Sequence, residues 1–368
     1  MNSRMPSSTS LLGELFASQR IDIRPGSLFS RHPGALPSGF DFDRAEGMCL
    51  GLCIGDALGN TSEGMSPASR RHTHGEIRDY LPHPRFGDYR GYPSDDTQLA
   101  FWTLEQVLAD GEFVPENVAD SFCRDQIFGI GSTVRQFIAN RKSGKTWYEA
   151  GVKSAGNGAL MRIAPVLVPH LRNPSTKLWA DTAICAMLTH NDSASIASCL
   201  ALVRILWELL KADAIPPPAW WLEAFVTTAR ELEIDANYTS RSPWVADFKG
   251  TLWQFAEREV ASAYERGLSV VDACDRWLSG AYLLETAPSV LYILMRHGHD
   301  PEEAIIRAAN DTYDNDTIAA IVGAAVGALH GRAALPRRWI EKLSGRTRRD
   351  DDGRVFQLLE GARRMWWQ

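Results

Sequence analysis

The sequence has few cysteines, and none of them forms the closely spaced pair that binds zinc or exchanges disulfides. Six cysteines occur in 368 residues, no Cys-x-x-Cys is present, and most of them have apolar neighbours. Such contexts are typical of reduced thiols that pack inside a core. We therefore expect no disulfide framework and a reducing, cytoplasmic location.

The chain also lacks a long hydrophobic run. Glu14 interrupts the short apolar stretch near the N-terminus, so the sequence predicts no secretory signal. The most apolar segment, 318–329, has about 12 residues, which is too few to cross a bilayer. We expect a protein without a membrane partner.

Positive charge is scarce and is nowhere concentrated. The formal net charge is −6, and the arginines near position 348 are followed at once by three aspartates, 350–352. A protein that binds nucleic acid through its phosphates needs an excess of basic side chains. The charge balance therefore disfavours nucleic acid as a partner.

Apolar residues with helical spacing are abundant. Hydrophobic residues make up 45% of the chain and charged residues 23%, enough to bury a substantial core. No run has the two-residue alternation of a strand, whereas a 3.6-residue period recurs along the chain. We predict an all-α fold, one compact multi-helix domain over residues 41–368, with a long polar loop at 64–93. The predicted helices are 43–59, 98–109, 115–128, 131–141, 176–190, 194–212, 219–234, 244–265, 269–280, 285–297, 302–311, 317–330 and 353–366.

The first 40 residues differ in composition from the rest. They are rich in Ser, Pro, Arg and Gly, with one short amphipathic piece at 11–18 and a few isolated apolar residues. This composition does not support a core of its own. Residues 1–40 are therefore predicted to be either a disordered tail or an arm that orders against a partner or against the parent domain.

Two acidic clusters each stand at the start of a predicted helix. Asp314 and Asp316, with Thr317, precede the apolar segment 318–329, and Ser94-Asp95-Asp96-Thr97 precedes the helix at 98–109. Each cluster alone could simply cap its helix. Adjacent carboxylates repel one another, however, and a bound cation is a natural counter-charge. Oxygen ligands without nearby Cys or His favour Mg²⁺, Mn²⁺ or Ca²⁺ over zinc.

Two further pieces have an ordinary explanation when taken alone. The glycine-rich stretch 156–162 is a turn whose backbone N–H groups could approach phosphate. His190 follows an apolar helix, where a capping role is the default.

Five motifs occur in one order, and together they resemble the ADP-ribosylglycohydrolase family, the DraG-like ADP-ribosylhydrolases, over roughly residues 42–335. They are Gly55-Asp-Ala-Leu-Gly-Asn-Thr-Ser-Glu63, Ser94-Asp-Asp-Thr97, Gly156-Asn-Gly-Ala-Leu-Met-Arg162, Thr189-His190 and Asp314-Asn-Asp-Thr317. The resemblance implies an all-α fold and a site for two Mg²⁺ or Mn²⁺ ions. The metal ligands that it implies are Ser94, Asp95, Asp96, Asp314, Asp316 and Thr317.

The same resemblance implies the remaining site residues. Glu63 would contact a metal, a bound water or the scissile ribose, and Glu63, Asp96 and Asp316 would form the catalytic set. His190 matches a histidine near the diphosphate. The residues that match the loop lining the ADP-ribose pocket are Gly156, Asn157, Gly158 and Met161.

Two departures from the family pattern concern the acceptor of the ADP-ribose. Tyr313 takes the place of a common glycine, in what we expect to be a crowded position beside the substrate ribose. Gly129 takes the place of an aspartate thought to help recognise the arginine linkage. Arginine is the favoured acceptor, and serine and nucleic-acid linkages stay open.

The expected activity is hydrolysis of the glycosidic bond between ADP-ribose and a protein side chain, in which metal ions and nearby carboxylates activate water and move protons. Some members of the family are immunity proteins whose N-terminal extension plugs an ADP-ribosyltransferase toxin. Residues 1–40 resemble such an extension, so the alternative is a stoichiometric inhibitor of a cognate toxin, with or without hydrolysis.

Overall fold

Helices provide nearly all the regular structure in the computed structural model, which describes residues 7–234 and 237–367. The predicted all-α fold class is confirmed. The described strands are β1 (Tyr238–Thr239) and β2 (Lys249–Gly250), which pair antiparallel. The α-helices are α1 (Ser8–Ala17), α2 (Phe42–Asn60), α3 (Pro67–His74), α4 (Asp95–Asp110), α5 (Pro115–Ser121), α6 (Ser132–Lys142), α7 (Trp147–Ala150), α8 (Lys177–Met187), α9 (Ser193–Lys211), α10 (Pro218–Leu232), α11 (Leu252–Glu265), α12 (Val270–Trp277), α13 (Leu283–His297), α14 (Pro301–Asp311), α15 (Asn315–His330), α16 (Arg337–Lys342) and α17 (Arg354–Trp366).

The centre of the fold is the antiparallel pair α2 and α15, whose backbones touch. A methyl group added at Gly51 of α2 would lie 2.1 Å from the carbonyl oxygen of Gly323 in α15. The same holds one turn further along, where Gly55 faces Ala319 at 2.0 Å. Only glycine permits so close an approach. The pairing brings the end of α2 beside the start of α15, and both ends carry acidic residues.

The described part of the N-terminal segment packs against its own domain. Helix α1 lies on α8, and the buried apolar anchors of the segment join the main core. Backbone contacts continue beyond α1, since the Arg24 N–H donates to the carbonyl of Leu232 over 2.8 Å. The Asn191 side chain bridges the segment, accepting from the Asp22 N–H and donating to the Arg20 carbonyl. The buried anchors are Leu12, Leu15, Ile21, Ile23 and Leu28.

Three predicted segments differ from the structure. The helix predicted at 244–265 begins only at Leu252, because Thr251 and Gln254 form a capping box there and β2 precedes them. The helix predicted at 115–128 ends at Ser121. The predicted loop 64–93 contains the short helix α3, which Ser66 caps.

Among the described helices, one is long and apolar enough to cross a membrane by composition. This helix is α9, and 89% of its most apolar window is buried inside the protein. It therefore reads as a core helix. The six cysteines are all free thiols.

Candidate active site

Asp56, in the last turns of α2, organises the first acidic cluster. Its carboxylate is completely buried and accepts the Ser94 N–H at 2.9 Å, the Thr97 N–H at 3.0 Å and the Thr97 hydroxyl at 2.6 Å. These bonds hold the N-terminus of α4, whose cap is Ser94. The Ser94 hydroxyl in turn donates to Asp96 Oδ2 at 2.9 Å. Asp95 and Asp96 are thereby fixed at the start of a helix.

The two acidic clusters meet. Carboxylate oxygens of Asp56, Asp96 and Asp316 lie within 4.8 Å of one another. A second group, formed by Glu63, Asp314 and Asp316, satisfies the same limit. Asp316 belongs to both groups, so it joins two adjacent carboxylate sets that come from α2, α4, α15 and the turns beside α2 and α15.

The donor set fits divalent cations. Asp96 Oδ1 and Asp316 Oδ1 are buried and have no hydrogen-bond partner in the described part of the chain. Burial and neighbouring carboxylates raise the pKa of Asp95 to about 7, and burial followed by Glu63 and Glu285 raises the pKa of Asp314 to about 7. Unpaired buried oxygens among like charges need a positive counter-ion. Carboxylate and hydroxyl oxygens are ligands for Mg²⁺, Mn²⁺ or Ca²⁺.

Buried polar side chains fix the turn that carries Asp314. Arg70 in α3 donates to the carbonyls of Asn310 and Thr312 at 2.9 and 2.8 Å, and burial lowers its pKa to about 10. On the other side, the Asp314 N–H donates to the Ser279 carbonyl at 3.0 Å. The turn is therefore held by α3 and by the segment that leads into α13.

A cavity of about 390 Å³ lies above the carboxylates, within the size range of small-molecule sites. The loop 154–158 forms one wall, where the Asn157 side chain donates to Asp314 Oδ2 and to Thr286 Oγ1. Behind this loop lies the buried His190. A methyl group on Gly158 would lie 2.8 Å from His190 Cε1, so glycine is what allows the imidazole to reach the cavity.

Sequence reasoning missed one basic residue of the wall. Arg241, from the β1–β2 hairpin, lines the cavity and lies over the Tyr282 ring at 4.4 Å. Tyr282 is placed by an antiparallel bridge to Gly156. No motif marks Arg241. Asp56, also missed, could have been found as the one carboxylate in the otherwise apolar stretch 47–59 of α2.

The structure brings eleven of the twelve predicted site residues to this one cavity, and the twelfth, Ser94, lies directly behind Asp96. Gly129 lines the cavity as well. Tyr313 is not in the expected crowded position, because its side chain is 40% exposed and does not line the cavity. The eleven are Glu63, Asp95, Asp96, Gly156, Asn157, Gly158, Met161, His190, Asp314, Asp316 and Thr317.

Fold and site together define an all-α protein with a carboxylate-floored polar cavity, the type of site in which enzymes handle protons. The chain belongs to the ADP-ribosylglycohydrolase family, whose model matches residues 38–365.

Named relatives agree with this assignment. The ADP-ribosylarginine hydrolase Tri1 of Pseudomonas putida is 25% identical over 82% of this chain and 74% of its own length. The ADP-ribosyl-[dinitrogen reductase] glycohydrolase of Rhodospirillum rubrum is 26% identical over 86% of this chain and 96% of its own. A solved structure described as an ADP-ribosylglycohydrolase-related protein complex superposes with a TM-score of 0.64 at 26% identity, covering 88% of this chain and 98% of that one. The protein is a hydrolase of ADP-ribosyl groups.

Proposed function

We propose that the cavity binds the ADP-ribosyl group of a modified protein and hydrolyses its bond to an arginine side chain. The observation that carries the proposal is the meeting of the two carboxylate sets directly beneath a nucleotide-sized polar cavity. The arginine linkage is supported by a relative named as an ADP-ribosylarginine hydrolase.

In this proposal two divalent cations, Mg²⁺ or Mn²⁺, occupy the carboxylate sets. When bound, they supply charge neutralisation and Lewis-acid polarisation of oxygen atoms. The residues proposed to hold them are Ser94, Asp95, Asp96, Asp314, Asp316 and Thr317, with Asp56 behind them.

The chain's own groups perform the remaining tasks. Glu63 faces the cavity, and burial and Asp56 raise its pKa, which suits a carboxyl group that takes a proton from the attacking water. The new bond joins the water oxygen to the anomeric carbon, and the proton passes to the nitrogen of the departing arginine. The loop 154–158 and His190 bind and orient the nucleotide.

The test is a panel of ADP-ribosylated proteins with defined arginine or serine linkages, assayed with Mg²⁺ and with EDTA. We expect release of ADP-ribose from the arginine linkage, its loss in EDTA, and a loss of at least about a hundredfold in Asp316→Asn. Asp350→Asn, at a surface position outside the cavity, is the matched control and should keep full activity. Activity on serine linkages alone, or activity that survives EDTA, contradicts the proposal.

A second function, inhibition of an ADP-ribosyltransferase through residues 1–40, rests on the observation that residues 1–37 lie outside the family match. The described anchors of this segment are buried against the protein's own domain, so the segment would have to detach to reach a partner. If it inhibits by occupancy, Asp316→Ala should still neutralise the transferase, and deletion of residues 1–40 from that variant should end neutralisation. Unchanged affinity for the transferase after the deletion contradicts this function.

A further inference from the structure

Behind the cavity, a buried arginine is connected to His190 through one hydroxyl group. Arg162 is completely buried, stacks over Phe122, and donates to the Thr189 hydroxyl at 2.8 Å and to the Cys185 carbonyl at 3.0 Å. The Thr189 hydroxyl lies 2.9 Å from His190 Nδ1. The chain of contacts therefore runs from a permanent cation to a ring that faces the substrate cavity.

Counting protons assigns the direction of each hydrogen bond. A guanidinium group has donors and no acceptor, so the Thr189 oxygen must accept from Arg162. The hydroxyl then has one proton left to donate, and within residues 7–234 and 237–367 its remaining partner is His190 Nδ1. Nδ1 is therefore the acceptor. If Nδ1 carried the proton instead, the buried hydroxyl proton would have no acceptor, which is costly.

The second ring nitrogen consequently carries the proton and faces the glycine loop. A methyl group on Gly156 would lie 3.6 Å from Nε2, and one on Gly158 would lie 3.1 Å from it. Val152 forms a backbone bridge with His190. This bridge fixes the backbone from which the imidazole ring projects toward the glycine loop.

Double protonation of the ring is opposed by its surroundings. Arg162 is the charged group that acts on His190. Burial, followed by the positive charge of Arg162, lowers the pKa of His190 to about 3. The imidazole is neutral over the whole physiological range.

We propose that Arg162 and Thr189 are positioning residues that fix His190 as the neutral Nε2–H tautomer, so that the cavity permanently offers an N–H donor to an anionic oxygen, the diphosphate of the ADP-ribosyl group. The identity of that anion rests on the proposed function; the tautomer itself does not. In the opposite tautomer the ring would turn a lone pair toward the anion, and a favourable contact would become a repulsive one.

The first experiment is nitrogen-15 NMR of the histidine rings in the intact protein without substrate, with His190 assigned by comparison with His190→Gln. We expect Nδ1 to resonate as an unprotonated nitrogen and Nε2 as a protonated one, unchanged from about pH 5 to pH 8. A protonated Nδ1, or a ring that titrates in this range, overturns the proposal.

The second experiment separates positioning from general structural support. Thr189→Val keeps the shape of the side chain but removes the hydroxyl, whereas Thr189→Ser keeps the hydroxyl. We expect Thr189→Val to lose the single tautomer of His190. It should raise both the Kd for free ADP-ribose and the KM about tenfold with little change in kcat, because the hydrogen bond from His190 Nε2–H to the charged diphosphate is weakened. Thr189→Ser should restore both values.

The outcomes distinguish the two proposals. If Thr189→Val keeps the Nε2–H tautomer and the wild-type Kd, the positioning role is wrong even when hydrolysis is normal. If the wild-type tautomer is as expected but ADP-ribosylarginine is not hydrolysed, the proposed substrate is wrong and the tautomer assignment stands.

Discussion

At the scale of single residues, positive charge in the cavity wall is concentrated in Arg241. Among the described residues that line the cavity, it is the one arginine, and no lysine accompanies it. Its guanidinium carbon lies over the Tyr282 ring, 4.4 Å from the ring centre, and a guanidinium held on an aromatic face can still donate its N–H groups to an anion.

We predict that Arg241→Gln raises the KM for an ADP-ribosylated substrate about tenfold and changes kcat little, because a charge-assisted hydrogen bond to phosphate is lost. Steady-state kinetics checks this. Tyr282→Phe is the control, since it keeps the ring under the guanidinium and should leave KM near its wild-type value. An unchanged KM in Arg241→Gln would place the diphosphate elsewhere in the cavity.

Local motifs predicted the floor of the site but not its supports. Asp96 and Asp316 could be found because short motifs mark them. Arg241 and Arg70 could not, because the first is placed by a hairpin and the second by contacts across more than two hundred residues of sequence. Gly129 has a φ of +58°, and a methyl group added there would lie 3.3 Å from Asp95 Oδ1. Neither the backbone conformation nor this close contact can be read from the sequence.

At the scale of elements, the contact between α2 and α15 makes a sharp test. Gly51→Ala would place a methyl group 2.1 Å from a backbone oxygen of Gly323, which cannot move aside as a side chain can. We predict a loss of about 3 kcal/mol or more in the free energy of unfolding, measured by urea denaturation. The control is Gly361→Ala in α17, where the nearest atoms are 3.7 Å away. It should stabilise by about 0.5–1 kcal/mol, since alanine favours helix; equal effects at both sites would refute the close approach.

The N-terminal helix α1 has its own test. Leu15 is 4% exposed, so Leu15→Ala should lower the free energy of unfolding by about 2–5 kcal/mol if α1 is docked in solution. Gly13→Ala, whose added methyl group would meet no atom within 4 Å, should be neutral or slightly stabilising. A neutral Leu15→Ala in the same denaturation experiment would indicate that the segment is free.

Helix prediction succeeded where the apolar period is long. The predicted 194–212 and 302–311 agree closely with α9 and α14, because each buries a continuous face. The helix predicted at 244–265 is confirmed from Leu252 onward, but its first part is wrong, because Val245 and Phe248 are buried from the connection between β1 and β2, which includes a short 3-10 turn. An apolar residue in the sequence predicts that the position is buried. Whether that residue lies in a helix or in a hairpin depends on contacts with distant parts of the chain.

At the scale of the whole molecule, the acidic cluster should make stability depend on pH. Asp95 and Asp314 have a pKa of about 7 in the folded protein, raised from 3.8, chiefly by burial. The folded state therefore binds more protons than the unfolded state between about pH 4 and pH 7, and stability is lost as the pH rises through this range.

We predict that, in EDTA, the urea concentration at the midpoint of unfolding decreases as the pH is raised from about 5 to about 8. Excess Mg²⁺ should make this decrease in the midpoint smaller, because a bound cation replaces the protons that the carboxyl groups have lost. Asp314→Asn, which removes one titrating group, should show a shallower dependence in EDTA than the wild type. Identical midpoints at the two pH values in EDTA would show that these carboxyl groups keep ordinary pKa values.

The touching backbones of α2 and α15 also limit which substitutions can change the floor of the cavity. No side chain lies between the helices at Gly51 and Gly323. A substitution that changes the size of a core side chain therefore cannot change the distance between the two helices at this point. The gap between Asp56 and Asp316 is therefore set by contact between two backbones, whereas the rim of the cavity is built from side chains. Substitutions at the rim can therefore change which acceptor the cavity admits while the spacing of the carboxylates at its floor stays the same.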